Sequence, residues 1–184
     1  MNRHAFALLG TIALAVSPLL AQAPPPAPAM GGAAPSTADA IRATYNVVKN
    51  NILKAADKMP DEAYDFKPTP EERSFGGWVQ HLADAQSNNC PRILGQQPPA
   101  PGAAAPTGKA ALVAYLKKSF DTCDAAYSGL TDANGSDTIQ TYRGPATRFA
   151  ALSGNLNHDS EGYGSMAVYL RLKGVVPPSS EPRK

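Results

Sequence analysis

The pattern that most constrains this chain is a series of four long segments in which apolar residues recur every three or four positions. Proline- and glycine-rich stretches separate these segments. Such spacing gives each helix one apolar face, which has to be buried against other helices. Residues 138–142 are the one short extended candidate. The pattern therefore predicts an all-α fold, a four-helix bundle.

Capping residues and prolines predict where the four helices begin and end. Serines 36 and 74 are good N-caps for the first two helices, and Pro91 stops or kinks the second. Pro145 suits the first position of the last helix, and Gly174 suits the position just after its end. The expected bounds are 36–59, 74–90, 108–130 and 145–174.

The first 23 residues have the composition of an export signal. Arg3 gives a positive start, residues 5–20 are almost continuously apolar, and residues 21–23 match the A-x-A cleavage pattern. Cleavage after Ala29 is the alternative, because Pro24 would follow the first scissile bond. A retained membrane anchor is the other interpretation, but the apolar run is short for a bilayer span. We expect a secreted or periplasmic protein without stable membrane insertion after cleavage.

The rest of the chain divides by composition. Residues 24–35 are a Pro/Ala-rich linker, residues 36–180 form the bundle, and residues 181–184 are a polar tail. The net charge of +2 comes with no basic run, which excludes a nucleic-acid surface. No phosphate-binding loop or nucleophile elbow is present in the sequence.

Two cysteines, Cys90 and Cys123, fall in the second and third predicted helices. An even number of cysteines in an exported chain favours a disulfide. The alternative is two separate buried thiols, which are common in cores.

Two histidines are the candidate metal ligands. His81 and His158 each lie in the middle of a predicted helix, beside an apolar stripe, and bundles build metal sites from such positions. Catalytic zinc usually takes three protein ligands, so a carboxylate is needed. Glu161 is three residues from His158, and Asp84 is three from His81. We predict His81, His158 and Glu161 as ligands. In the alternative, both carboxylates are solvated or hold an imidazole N–H.

Three stretches resemble the DinB-like (DinB/YfiT) superfamily, in particular its exported branch. They are MPDEAYDFKPTP (59–70) with RSFG (73–76), WVQHLADA (78–85), and NLNHDSEGYG (155–164) continued by YLRLKGVVPP (169–178). The resemblance implies an up-down-down-up four-helix bundle that forms homodimers. It also implies a nickel or zinc ion held by three histidines, and activity in thiol transfer or in metal-dependent isomerisation or hydrolysis.

His81 matches the family's ligand on the second helix, and His158 matches the first ligand on the fourth. The third ligand position is Gly162, which has no side chain. We therefore expect a weakened metal site in a hydrolase or thiol transferase acting on a small molecule, with no catalytic residue assigned. The alternative is a non-catalytic bundle that binds a small molecule or a protein, with Gly162 making room for a ligand in the former metal cavity.

Overall fold

A computed structural model describes residues 34–100 and 106–182 of the chain. The described part contains four α-helices and one hairpin: α1 (Thr37–Lys58), α2 (Phe75–Ile93), α3 (Lys109–Ser128), β1 (Thr138–Thr141), β2 (Gly144–Thr147) and α4 (Arg148–Leu172). Two single-turn 3-10 helices, Asp61–Ala63 and Pro178–Ser180, lie in the connecting segments. Within these two ranges, every helix is too short or too polar to cross a membrane. The predicted export signal and residues 24–33 of the linker lie outside the described residues.

The helices run up, down, down and up, as expected. Contacts between α2 and α3 follow the same order along both helices, so these two are parallel. Contacts of α1 with α3, and of α2 with α4, follow opposite orders, so each of those pairs is antiparallel. The contacts between α2 and α3 are Asp84–Tyr115 and Cys90–Cys123. Those between α1, with its C-cap, and α3 are Lys49–Asp124 and Met59–Lys109. Those between α2 and α4 are Trp78–Tyr169 and Gln86–Asp159.

Three predicted helix ends are confirmed by their local hydrogen bonds. The hydroxyl of Ser36 accepts from the backbone N–H three residues later at 3.1 Å, and that of Ser74 does the same at 3.0 Å. Gly174 has φ +71°, and the N–H of Val175 donates to the carbonyl of Leu170 at 2.9 Å. This is the Schellman arrangement, in which a left-handed glycine follows the last turn.

Two predicted ends are wrong. Pro145 lies in β2 and not in the first turn of the fourth helix, because Thr147 caps α4 by accepting from the N–H of Ala150 at 3.2 Å. The second helix continues through Pro91 to Ile93. Both of these residues are buried, so packing on the core holds the last turn although proline removes one backbone hydrogen bond.

The core lies between the four helices. Tyr45 of α1 and Tyr127 of α3 stack at its centre with ring centroids 3.7 Å apart. Cys90 and Cys123 form a disulfide between α2 and α3, which confirms the predicted bridge. Tyr64, in the loop before α2, is buried and donates from its hydroxyl to the carbonyl of Ala56 at 2.6 Å.

Candidate functional site

The structure brings the two candidate histidines into direct contact. His81 lies on α2 and His158 on α4, and their Nε2 atoms are 3.0 Å apart. One ring must therefore carry a proton on Nε2 and donate it in a hydrogen bond, while the Nε2 atom of the other ring is unprotonated and accepts that hydrogen bond. Burial, the Arg73 guanidinium and the neighbouring His158 all lower the pKa of His81. His81 is thus neutral at neutral pH, which is the form that binds metals.

The imidazole pair lies in the wall of an open pocket of about 670 Å³. This volume falls within the range typical of small-molecule sites. The pocket runs between α2 and α4, and the β1–β2 hairpin lines one end of it. Its polar lining residues are His81, Asn88, Asn89, Arg92, Thr141, Tyr142, Arg143, Asn155, Asn157, His158 and Glu161.

The two candidate carboxylates differ in position. Glu161 lines the same pocket as the imidazoles, and its carboxylate accepts from the amide of Asn157 at 3.4 Å. Asp84 accepts from the hydroxyl of Tyr115 on α3 at 2.8 Å, so it turns towards α3. Within residues 34–100 and 106–182, no three His, Cys, Asp or Glu side chains are grouped so that they could hold a metal ion. The role of Glu161 as a third ligand stays a prediction.

Gly162 does not open a cavity. A Cβ atom built on Gly162 would lie 2.6 Å from Cδ2 of Leu82, whose side chain is fully buried. The hypothesis that this glycine makes room for a ligand is therefore wrong. The side chain of Leu82, which follows His81 on α2, already occupies the space that a third histidine would enter.

A buried polar network lies behind His158. Asp159 is 1 % exposed, and the amide nitrogen of Gln86 donates to both of its carboxylate oxygens at 2.6 Å. The side-chain oxygen of Gln86 accepts from the side-chain amide nitrogen of Asn155 at 2.9 Å. The same nitrogen lies 3.3 Å from the hydroxyl of Tyr127. Burial raises the pKa of Asp159.

Sequence reasoning missed this network, although the chain carries a signal for it. Residues 152, 155, 159, 162 and 166 are spaced by three and four positions, and all five are buried in α4. Polar residues at positions 155 and 159 therefore fall on the buried stripe. The signal does not show which residue of another helix satisfies them, and here it is Gln86.

The same network borders the inner nitrogen of His158. Nδ1 of this ring is buried, has no hydrogen-bond partner among the described residues, and lies 3.9 Å from the nearest oxygen of Asp159. The opposite nitrogen, Nε2, faces His81 at the pocket. Nε2 is therefore the atom through which His158 can contact a ligand.

The imidazole pair fits part of a divalent-metal site. With metal–nitrogen bonds of about 2.0–2.1 Å, two nitrogens 3.0 Å apart subtend roughly 91–97° at one ion, which is close to the right angle between neighbouring octahedral positions and narrower than the angle in a tetrahedral zinc site. The third position of the three-histidine arrangement does not fit, because Gly162 offers no donor and Leu82 fills the space beside it. The donor set is thus two imidazoles, with Glu161 in the same pocket.

The fold and the sequence are similar to those of known proteins. The crystal structure of a DinB-like protein from Bacillus cereus is 18 % identical with a TM-score of 0.63, over 75 % of this chain and 93 % of that one. The crystal structure of a DinB-like protein from Bacillus subtilis is 21 % identical with a TM-score of 0.61, and the match covers 79 % of this chain and 99 % of that one. A comparison with curated proteins gave no significant match. The family model of the DinB superfamily matches residues 44–164, more than half of the sequence, and this range includes the histidine pair and Gly162. The chain therefore belongs to the DinB superfamily.

Proposed function

We propose that this protein has a weakened divalent-metal site at His81 and His158, and that it catalyses a metal-dependent hydrolysis or thiol transfer on a small molecule in the adjoining pocket. The observation that carries the proposal is the 3.0 Å separation of the two Nε2 atoms at the pocket wall. An exported chain fits the disulfide between Cys90 and Cys123, because such bonds persist in oxidising compartments.

Each residue of the site has a separate part in this proposal. His81 and His158 would hold a nickel or zinc ion through Nε2, and Glu161, which lines the same pocket, would supply the third ligand after its side chain moves towards them. The chemistry that such an ion would supply here is that of a Lewis acid, polarising a carbonyl or phosphoryl group of the substrate. The buried Asp159–Gln86 pair lies behind His158, with an Asp159 oxygen 3.9 Å from Nδ1 of its ring.

The site should hold its metal weakly. A three-histidine site loses one of its ligands when the third position is glycine. Loss of a residue that only supports a ligand already lowers metal affinity by roughly 10–100-fold, and loss of a ligand itself should lower it at least as much. The protein should therefore bind nickel or zinc when the ion is supplied in excess, and lose it on dialysis.

A second candidate function is a non-catalytic module that binds a small molecule. Two observations favour it: the imidazoles can satisfy each other by a direct hydrogen bond, and the Leu82 side chain packs against Gly162. Neither contact requires a metal ion. In this case the pocket would bind its ligand through hydrogen bonds and charge alone.

Metal titration separates the two candidates. Calorimetric titration of nickel and zinc into the chelator-treated protein should show one site per chain, and His158→Ala should abolish it. Asp84→Asn is the matched control, because it removes a carboxylate that faces α3. Glu161→Gln should weaken binding several-fold. Wild-type protein that takes up neither ion, even at millimolar concentration, would exclude the metal site and leave the binding module.

A further inference from the structure

We propose that the ligand of this pocket is a small organic anion, and that Arg92 and Arg143 bind its carboxylate or phosphate group. This inference rests on the proposed function only in taking the same pocket as the site. It adds the chemical class of the ligand and the direction in which the ligand lies, with the anionic end at the hairpin and the other end at the imidazoles.

Arg92 lies far from the histidines along the pocket, and Arg143 lies on the hairpin that lines it. Arg92 is in the last turn of α2, eleven residues after His81, which is about 16 Å along the helix axis. Arg143 is in the turn of the β1–β2 hairpin. Both side chains line the pocket. A ligand that contacts both ends therefore has an elongated shape.

Neither guanidinium has an acidic partner within residues 34–100 and 106–182. Arg92 makes one long contact, from Nε to the side-chain oxygen of Asn88 at 3.5 Å. Arg143 lies over the ring of Tyr142, with 5.2 Å between the guanidinium carbon and the ring centroid. Most of the N–H donors of these two groups thus have no partner among the described side chains. A guanidinium binds carboxylate or phosphate oxygens in preference to neutral acceptors.

The charges along the pocket are unevenly distributed. Among the described lining residues, Glu161 is the one acidic side chain, and it lies on α4 three residues after His158. The hairpin end carries the two arginines. Between the ends, Asn88 and Asn89 offer neutral amide groups. In the metal-free protein, this arrangement attracts a negative group to the arginines and repels it from Glu161.

The hairpin also offers an apolar surface to the body of the ligand. The side chain of Tyr142 is 58 % exposed, although tyrosine usually buries its ring, and it lines the same end of the pocket. A ring or alkyl chain adjacent to the anionic group can pack on it. An organic anion therefore matches this end of the pocket better than free inorganic phosphate does.

Two probes that differ only in charge test the proposal. 4-Phenylbutyrate and its neutral amide, 4-phenylbutyramide, are titrated into metal-free protein and followed by NMR chemical shifts. We expect the acid to bind at least about tenfold more tightly than the amide, because charge-assisted hydrogen bonds are roughly twice as strong as neutral ones. Arg92→Gln and Arg143→Gln should each weaken binding of the acid by about tenfold and leave the amide unaffected. Arg171→Gln is the matched control, since Arg171 bonds Ser180 outside the pocket.

Three results would overturn the proposal: equal affinities for the acid and the amide, full binding of the acid by both arginine variants, or displacement of the acid by equimolar inorganic phosphate. The last would mean that the organic body of the ligand is not recognised. Circular dichroism of each variant excludes loss of folding. His158→Ala separates this proposal from that of the metal site, because it should abolish nickel binding while the acid still binds about tenfold more tightly than the amide, since the arginines and not the imidazoles contact the charged group.

Discussion

Gly162→His alone should not restore a three-histidine metal site, whereas Gly162→His combined with Leu82→Ala should. The new Cβ atom would lie 2.6 Å from Cδ2 of Leu82, which is fully buried, so the leucine has to move before the imidazole can enter. Shortening Leu82 to alanine removes the atoms that stand in the way. Residue 162 is four positions after His158, so a histidine there would share its helix face.

The stabilities of these variants can be estimated from the packing. Overpacking of this kind destabilises by about 1–3 kcal/mol, and replacing a helical glycine recovers about 1 kcal/mol of that. Leu82→Ala alone leaves a cavity and should cost about 2–5 kcal/mol. The double variant should lose less than the sum of the two, because the imidazole fills part of the cavity. Urea denaturation of all four proteins gives the coupling free energy directly.

Metal affinity is the decisive measurement. We expect nickel and zinc to bind the double variant at least about 10–100-fold more tightly than they bind the wild type, Gly162→His or Leu82→Ala. If Gly162→His alone binds as tightly as the double variant, Leu82 does not block the third position. If neither binds more tightly than the wild type, the three side chains do not converge on one ion.

Three further predictions concern the disulfide, the histidine pair and the buried network. Reduction of Cys90–Cys123, which are 33 residues apart, should remove about 3.7 kcal/mol in the chain-entropy picture and lower Tm by roughly 7–15 °C in calorimetry; an unchanged Tm would mean that the bridge does not contribute. The pKa of His81 in the folded state lies below its ordinary value of 6.5, so folding favours the neutral imidazole. The free energy of unfolding that this preference contributes is complete above pH 6.5 and is lost as the pH falls through the folded-state pKa. The fall in Tm between pH 7.5 and pH 5 should thus be larger in the wild type than in His81→Gln, and equal falls would contradict this. Gln86→Leu should destabilise by at least about 3 kcal/mol in urea denaturation, because it leaves the buried Asp159 carboxylate with only the 3.4 Å hydrogen bond from Asn155. Adding Asp159→Asn should recover part of that loss.

The sequence predicts the helices well because their signals are local. Ser36 and Ser74 cap α1 and α2 through hydrogen bonds to backbone groups three residues away, and Gly174 ends α4 through its own positive φ. Each signal involves residues that are close in the sequence, so no knowledge of the rest of the fold is needed. The prediction for Pro145 is wrong because the pairing of β2 with β1 competes with the proline's own suitability for a first turn.

The site is predicted less completely because its decisive contacts join different helices. The sequence identifies His81 and His158 by residue type, and the resemblance to the family places them together. It does not show that Leu82 fills the space beside Gly162, or that Gln86 satisfies Asp159, since both contacts depend on how α2 and α4 pack. The buried Asp159 carboxylate supports the site from behind, whereas the glycine at position 162 removes a ligand from it. Both effects become visible only in the packing of α2 against α4.

Stability alone does not explain why two imidazoles meet in this bundle. A hydrogen bond between partly buried polar groups contributes about 1 kcal/mol net, and an apolar pair of similar shape at His81 and His158 would stabilise the helices at least as well. The side chain of His158 remains 32 % exposed and faces an open pocket, so it is not simply a satisfied core residue. Replacement of both histidines by leucine should therefore keep or raise the free energy of unfolding, while ligand binding in the pocket falls. A large loss of stability in that variant would show instead that the pair is a structural contact.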